Sequence, residues 1–170
     1  MYPRIIILLI LLILLIPFST MALTSDRSKP LEIEADRVLI DDKEGKMIYS
    51  GNARFTQGSM LVTADKVEIY TVKRQVSHAI AKGSPVHFEQ KMDDGKTVKA
   101  RADRMEYRMS QQRLILEDSA ELWQDQNHIK SDRITYLLDQ QQIDAKTVDS
   151  GSDGRVRITI QPESMKAPTE

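Results

Sequence analysis

The chain of 170 residues has no cysteine. That excludes thiol nucleophiles, Cys-ligated zinc, iron–sulfur clusters and stabilising disulfides. It has three histidines, His78, His87 and His128, and none belongs to a His-Glu-x-x-His helix. No Gly-x-Ser-x-Gly elbow is present either. Seven glycines are too few for the glycine-dense loops of calcium-binding repeats. Aromatic residues make up 5 %, and 24 basic side chains face 25 acidic ones. With no basic stripe beside Trp123 or Phe88, a nucleic-acid stacking platform is not indicated, and both read as wall residues of an interior.

Only one long apolar run occurs. Arg4 precedes an unbroken apolar stretch of 12 residues from Ile5 to Ile16, followed by Pro17 and Thr20-Met21-Ala22. Charge, short apolar core and small residues three apart form the pattern of a cleavable export signal, and the core is shorter than the ~20 residues of a spanning helix. Residues 1–22 are therefore expected to be a signal peptide, with cleavage near Ala22. Phe18, Met21 and Leu23 lengthen the stretch, so an uncleaved anchor is the alternative. Removing 22 of 170 residues leaves 148, enough for one domain, with 23 basic and 25 acidic side chains and a charge of −2. Roughly 36 % of those are hydrophobic, lean for a globular domain.

What remains is repetitive. Ala35-Asp36-Arg37-Val38 recurs as Ala64-Asp65-Lys66-Val67, Ala102-Asp103-Arg104-Met105 and Ser131-Asp132-Arg133-Ile134, the aspartates spaced by 29, 38 and 29 residues. A second mark, Gly51-Asn52-Ala53, Gly83-Ser84-Pro85 and Asp118-Ser119-Ala120, follows 15, 18 and 15 residues after the preceding aspartate. Two marks moving in step define about four degenerate repeats.

Within each repeat the apolar period is two. Leu31, Ile33 and Ala35 alternate with Glu32, Glu34 and Asp36; Met60, Val62 and Ala64 do likewise; Met105, Tyr107 and Met109 alternate with Arg104, Glu106 and Arg108. This predicts strands with one dry face, and over residues 102–117 it favours strand over helix. Asp94-Gly95, between Val86-Phe88 and Val98-Ala100, is the strongest hairpin signal and accounts for the longer second repeat. The class is all-β, many short antiparallel strands over a shared interior, spanning residues 31–160. A flexible lead-in at 23–30 and a disordered tail at 161–170 are expected to flank it.

No catalytic constellation appears. His87 and Glu89 share a strand face, but two ligands on the wet side of Val86 and Phe88 do not make a metal site. The repeat aspartates each have a basic neighbour, which reads as a solvated ladder of pairs and local backbone hydrogen bonds. No enzyme activity, cofactor or metal is expected.

The ordered set Lys29-Pro30-Leu31-Glu32-Ile33-Glu34-Ala35-Asp36, Tyr49-Ser50-Gly51-Asn52-Ala53, Thr56-Gln57-Gly58-Ser59-Met60, Lys82-Gly83-Ser84-Pro85-Val86-His87-Phe88 and Asp132-Arg133-Ile134-Thr135-Tyr136 resembles the OstA-like family of periplasmic lipopolysaccharide export proteins. The resemblance spans residues 29–145; Asp118-Ser119-Ala120 departs from the family's Gly-Asn-Ala type of turn. It implies a half-open, twisted β-jelly roll whose groove holds lipopolysaccharide acyl chains. It also implies a head-to-tail homo-oligomer bridging the membranes, with an inner-membrane-anchored component of the transport system at the N-terminal edge and the outer-membrane translocon at the C-terminal edge.

On that reading Leu31, Ile33, Met60, Phe88, Met105, Tyr107, Met109 and Leu116 are the expected groove residues, chosen by motif position and inward phase. Flexible methionines and rings suit a moving lipid, although the same positions also fit ordinary core. Residues 31–35 and 156–160 are the expected docking edges. Two alternatives stand beside this one: a membrane-anchored partner of the same pathway, and a β-repeat scaffold polymer without lipid, which the unequal repeat lengths disfavour.

Overall fold

The computed structural model describes residue 26 and residues 28–92, 95–138, 140, 142–147 and 155–161. The expected signal peptide, most of the lead-in up to residue 27, Asp93 and Asp94 of the hairpin turn, and residues 162–170 of the tail lie outside the described residues.

Alternating sequence becomes strand almost throughout: β1 (Glu32–Glu34), β2 (Arg37–Asp41), β3 (Lys46–Gln57), β4 (Met60–Val72), β5 (Gln75–Lys91), β6 (Thr97–Arg108), β7 (Arg113–Gln124), β8 (Asn127–Leu137), β9 (Gln142–Lys146) and β10 (Arg157–Thr159). Neighbours pair antiparallel from β3 to β8 in chain order. At one end β1 and β2 share β3, and at the other β9 and β10 share β8. The sheet is unclosed.

The short segments visible in the sequence are halves of longer strands. β5 is 17 residues long, and residues 102–117 form not one strand but a hairpin, turning through a 3-10 segment at Met109–Gln111. Each long-strand pairing shifts register near its middle, between Ser50 and Ala53, Thr63 and Lys66, Lys82 and Val86, Arg101 and Arg104, or Glu117 and Ala120, and β4–β5 shifts again between Tyr70 and Thr71. Both repeated marks sit at these bulges. A bulge inserts unpaired residues and bends the strand. The marks are therefore the corners at which the sheet folds onto itself.

Their chemistry fits that role. Gly51 (φ +75°), Asn52 (φ 47°), Asp118 (φ 61°) and Ser119 (φ 55°) take left-handed backbone, which Gly, Asn and Asp tolerate best. The Asp36 amide donates to the Gly51 carbonyl at 2.9 Å, and Asn52 Nδ2 donates to the Asp36 carboxylate at 2.9 Å. A Cβ on Gly51 would collide with that carboxylate. Asp36 thus holds its corner, and at another corner the Ser119 hydroxyl donates to the Asp103 carboxylate at 3.4 Å. Lys66 bonds Glu68, Arg104 bonds Glu106 and Glu117, and Arg133 bonds Glu117. These ion pairs lie on the outer face, Lys66–Glu68 and Arg104–Glu106 along one strand and the two to Glu117 between neighbouring strands.

Inward side chains of the two halves meet. Tyr49 and Phe55, on either side of the β3 corner, pack edge-to-face with centroids 5.2 Å apart. Val86, Ala102, Leu116, Ala120 and Ile134 have no exposed surface. Trp123 falls in the opposite phase from buried Leu122, so it lies on the outer face, stacked on His128 at 4.6 Å, and is not an interior wall.

Candidate functional site

Where the halves do not meet they leave a cavity of about 430 Å³. One half of the bent sheet contributes Val67, Ile69, Ala79, Ala81, Met105, Tyr107 and Leu114, the other Phe55, Met60, Val62 and Phe88. Residues of β3 to β7 take part because each strand crosses both halves, so an inward position on either side of a corner faces the same space. Met109, from the 3-10 turn, and Leu138, just past β8, close one end. Leu31, 46 % exposed, stands where the cavity meets solvent.

Apart from the Tyr107 phenol, the polar side chains of the described lining are Asp26, Gln57 and Gln90. Asp26 accepts the Ser59 amide at 3.0 Å, the Ser59 hydroxyl at 2.5 Å and Gln90 Nε2 at 3.2 Å. The Ser59 hydroxyl holds its carboxyl below the ordinary value, against a desolvation that works to raise it. Gln57 Nε2 in turn donates to the Lys29 carbonyl at 3.0 Å, so with these groups engaged the remaining wall presents hydrocarbon, thioether and ring surface. Such a wall can shelter an apolar chain and offers no nucleophile, general base or oxyanion donor set. Among the described residues no group of three or more His, Asp or Glu side chains is placed to hold a metal. Glu89 lies 3.2 Å from Lys99.

Of the eight side chains expected from the sequence, six line this cavity: Leu31, Met60, Phe88, Met105, Tyr107 and Met109. Ile33 packs against the adjoining core instead, and Leu116 is fully buried beside its cross-strand neighbour Met105. Phe55, Val62, Val67, Ile69, Ala79, Ala81, Leu114 and Leu138 were not singled out. The missing signal was the corner: once Asp36, Gly51, Asp65 and Gly83 are read as bends, these residues fall into inward phase on either side.

Carboxylates of the outer face are held ionised. The Lys66 ammonium, with Lys46 and Tyr70, brings the Glu68 carboxyl down to about 2, overcoming desolvation. Burial works to raise Glu106 and Glu121, but Arg104 and Arg108 for the first, and Arg101, Lys130 and His128 for the second, bring both below the ordinary range.

Residues 32–142 match the family model described as "LptA/(LptD N-terminal domain) LPS transport protein". The chain is 31 % identical to the lipopolysaccharide export system protein LptA of Escherichia coli over 147 residues, covering 85 % of this chain and 78 % of that protein. It is 32 % identical to LptH of Pseudomonas aeruginosa over 150 residues, covering 84 % and 85 %. The crystal structure of LptH, described as the LptA-homologous periplasmic component of the lipopolysaccharide transport device, superposes with a TM-score of 0.72 at 30 % identity, covering 81 % of this chain and 99 % of that one. The matched family is one of transport proteins and not of enzymes. The chain belongs to the LptA/LptD N-terminal-domain family of lipopolysaccharide transport proteins.

Proposed function

We propose that this protein works in the periplasm, sheltering the acyl chains of lipopolysaccharide in the cavity between the two halves of its sheet while the sugars stay in water, and that it stacks head to tail to bridge the inner and outer membranes. The observation that carries this reading is an apolar slot, bordered by exposed Leu31, inside an unclosed sheet. Each methylene taken out of water gains about 0.8 kcal/mol, which makes several hydrated acyl chains costly in an aqueous gap. Met60, Met105 and Met109 adapt to an irregular chain without a single tight fit, as sliding requires.

Met60→Glu tests the slot, because Met60 is partly exposed and a carboxylate there can reach water without unfolding the sheet. Protein purified from a lipopolysaccharide-producing host should lose its co-purifying lipid with this change while keeping its antiparallel-sheet circular dichroism. Undiminished lipid on the variant counts against the slot.

The sheet edges support the stacking. β2 exposes Val38, Leu39 and Ile40 (50–60 %), and the opposite edge exposes Ile158 and Ile160 (58 and 52 %). Unpaired apolar edges invite strand addition, and two unlike edges give an open, heterologous contact. Strand directions alternate without interruption from β1 and β2 to β9 and β10. A second copy with its β1 beside β10 and its β2 beside β9 therefore keeps the antiparallel pattern. With inward Ile33 opposite inward Ile158, Glu34 falls opposite Arg157 and the pair is attractive. The chain's lack of cysteine makes the test clean: Glu34→Cys with Arg157→Cys should give an oxidised ladder of multimers. Only monomers on oxidation would refute this register.

A further inference from the structure

A second cleft, of about 390 Å³, lies on the other side of the sheet from the apolar cavity. Leu114 and Leu138 line the cavity, whereas their chain neighbours Arg113 and Leu137 line the cleft, with Arg133, Thr135, Gln142, Asp144 and Lys146 completing it. Sheet pairing places cation opposite cation twice around this cleft: Arg113 faces Arg108 across β6–β7, and Arg133 faces Lys146 across β8–β9. Like charges directly opposite one another are destabilising. The nearby carboxylates are committed, Glu106 to Arg104 and Arg108, and Glu117 to Arg104 and Arg133. Arg113 Nε is buried and has no hydrogen-bond partner among the described residues. Such a donor normally finds one. Of the described cleft residues three are cations and one, Asp144, is an acid, and among the described residues, with Glu117 counted against Arg133, one positive charge is left over.

We infer that this outer cleft binds a phosphate group, held by the guanidinium groups of Arg113 and Arg133 with Lys146 as a point charge and the Thr135 hydroxyl as a further donor. Donors arriving from three strands suit a tetrahedral oxyanion, and guanidinium forks match phosphate geometry. Held by the outward nitrogens of the two guanidinium groups, the phosphate would relieve both like-charge contacts. The site is separate from the acyl-chain slot and does not depend on it. Two sources share this chemistry, a phosphorylated saccharide headgroup and free phosphate.

The test is a titration of the ¹⁵N-labelled protein, followed at the backbone amide resonances of residues 113, 133 and 135, with inorganic phosphate and with glucosamine 6-phosphate at constant ionic strength set by chloride. A saturable shift with either probe, weakened about tenfold or more in Arg113→Gln, is the expected result. Tighter binding of the sugar phosphate supports the headgroup source, and equal or tighter binding of inorganic phosphate supports the free anion. Met60→Glu should titrate like the parent chain, so failure of the slot and failure of this site are distinguishable. A linear shift that chloride reproduces overturns the proposal. So does a shift that follows protein concentration, which would give the cleft to a carboxylate of a second copy. Should Arg113→Gln not fold, Lys146→Gln serves in its place, with a severalfold loss expected and unaltered affinity overturning the assignment.

Discussion

Met105 and Leu116 are cross-strand neighbours on the inward face, read alike in the sequence, yet they border different things. Leu116 joins Leu122, Ile134 and Tyr136, all at 2 % exposure or less, where the two halves close on each other. Met105 joins Met60, Val62 and Tyr107, where they part around a cavity. Alternation establishes that a side chain is dry. It does not establish whether the neighbour is another side chain or space that a ligand can fill. The closed region gives stability, and the parted region is free to give function.

That division can be broken or sharpened by perturbing each region separately. Leu116→Ala should have the largest effect, about 3–4 kcal/mol of lost stability, because a fully enclosed leucine leaves a hole that its surroundings fill only in part. It is read as a lower midpoint of urea unfolding at unchanged slope, with co-purifying lipid retained in the fraction that folds. Acid should produce the next effect, acting chiefly through the carboxylates of the outer face. Glu68 has a folded value of about 2 against an ordinary 4.5, so its stabilisation is complete above 4.5 and is lost as pH falls toward 2. Urea midpoints should be flat from neutrality to about pH 5 and then decline, less steeply in Glu68→Gln; an identical decline in that variant would remove Glu68 from the explanation. The smallest effect is expected for Met60→Ala, about 1 kcal/mol, because its side chain already borders open space. A loss equal to that of Leu116→Ala would mean that the cavity wall is ordinary core.

Much of this was legible in the sequence because its physics is local. Period-two alternation at Met105 and Tyr107, and at Val86 and Phe88, fixed the strand state and the inward phase. The two repeated marks were visible as marks. Their role was not, because a corner is defined by two strands at once: Asp36 explains nothing until Gly51 and Asn52, 15 and 16 residues on, lie beside it. The same limit explains the site. Met60, Phe88 and Tyr107 could be chosen by phase, but Phe55, Ile69 and Ala81 required knowing that strands cross from one half to the other. Leu116 satisfied every local criterion and is nevertheless sealed, since its surroundings come from β6 and β8 at once. Trp123 was misread for the converse reason: a large ring suggested an interior, while the phase set by Leu122 sends it outward.

The most direct measurement uses two adjacent residues of one strand. His87 is exposed on the outer face and Phe88 lines the cavity, so their backbones occupy nearly the same place while their side chains point to opposite sides. A photo-crosslinking residue at each position, irradiated in cells actively exporting lipopolysaccharide, should give a lipopolysaccharide adduct at position 88 and none at 87. Equal labelling of the two, or labelling at 87 alone, would contradict passage of the lipid through the space between the folded halves of the sheet.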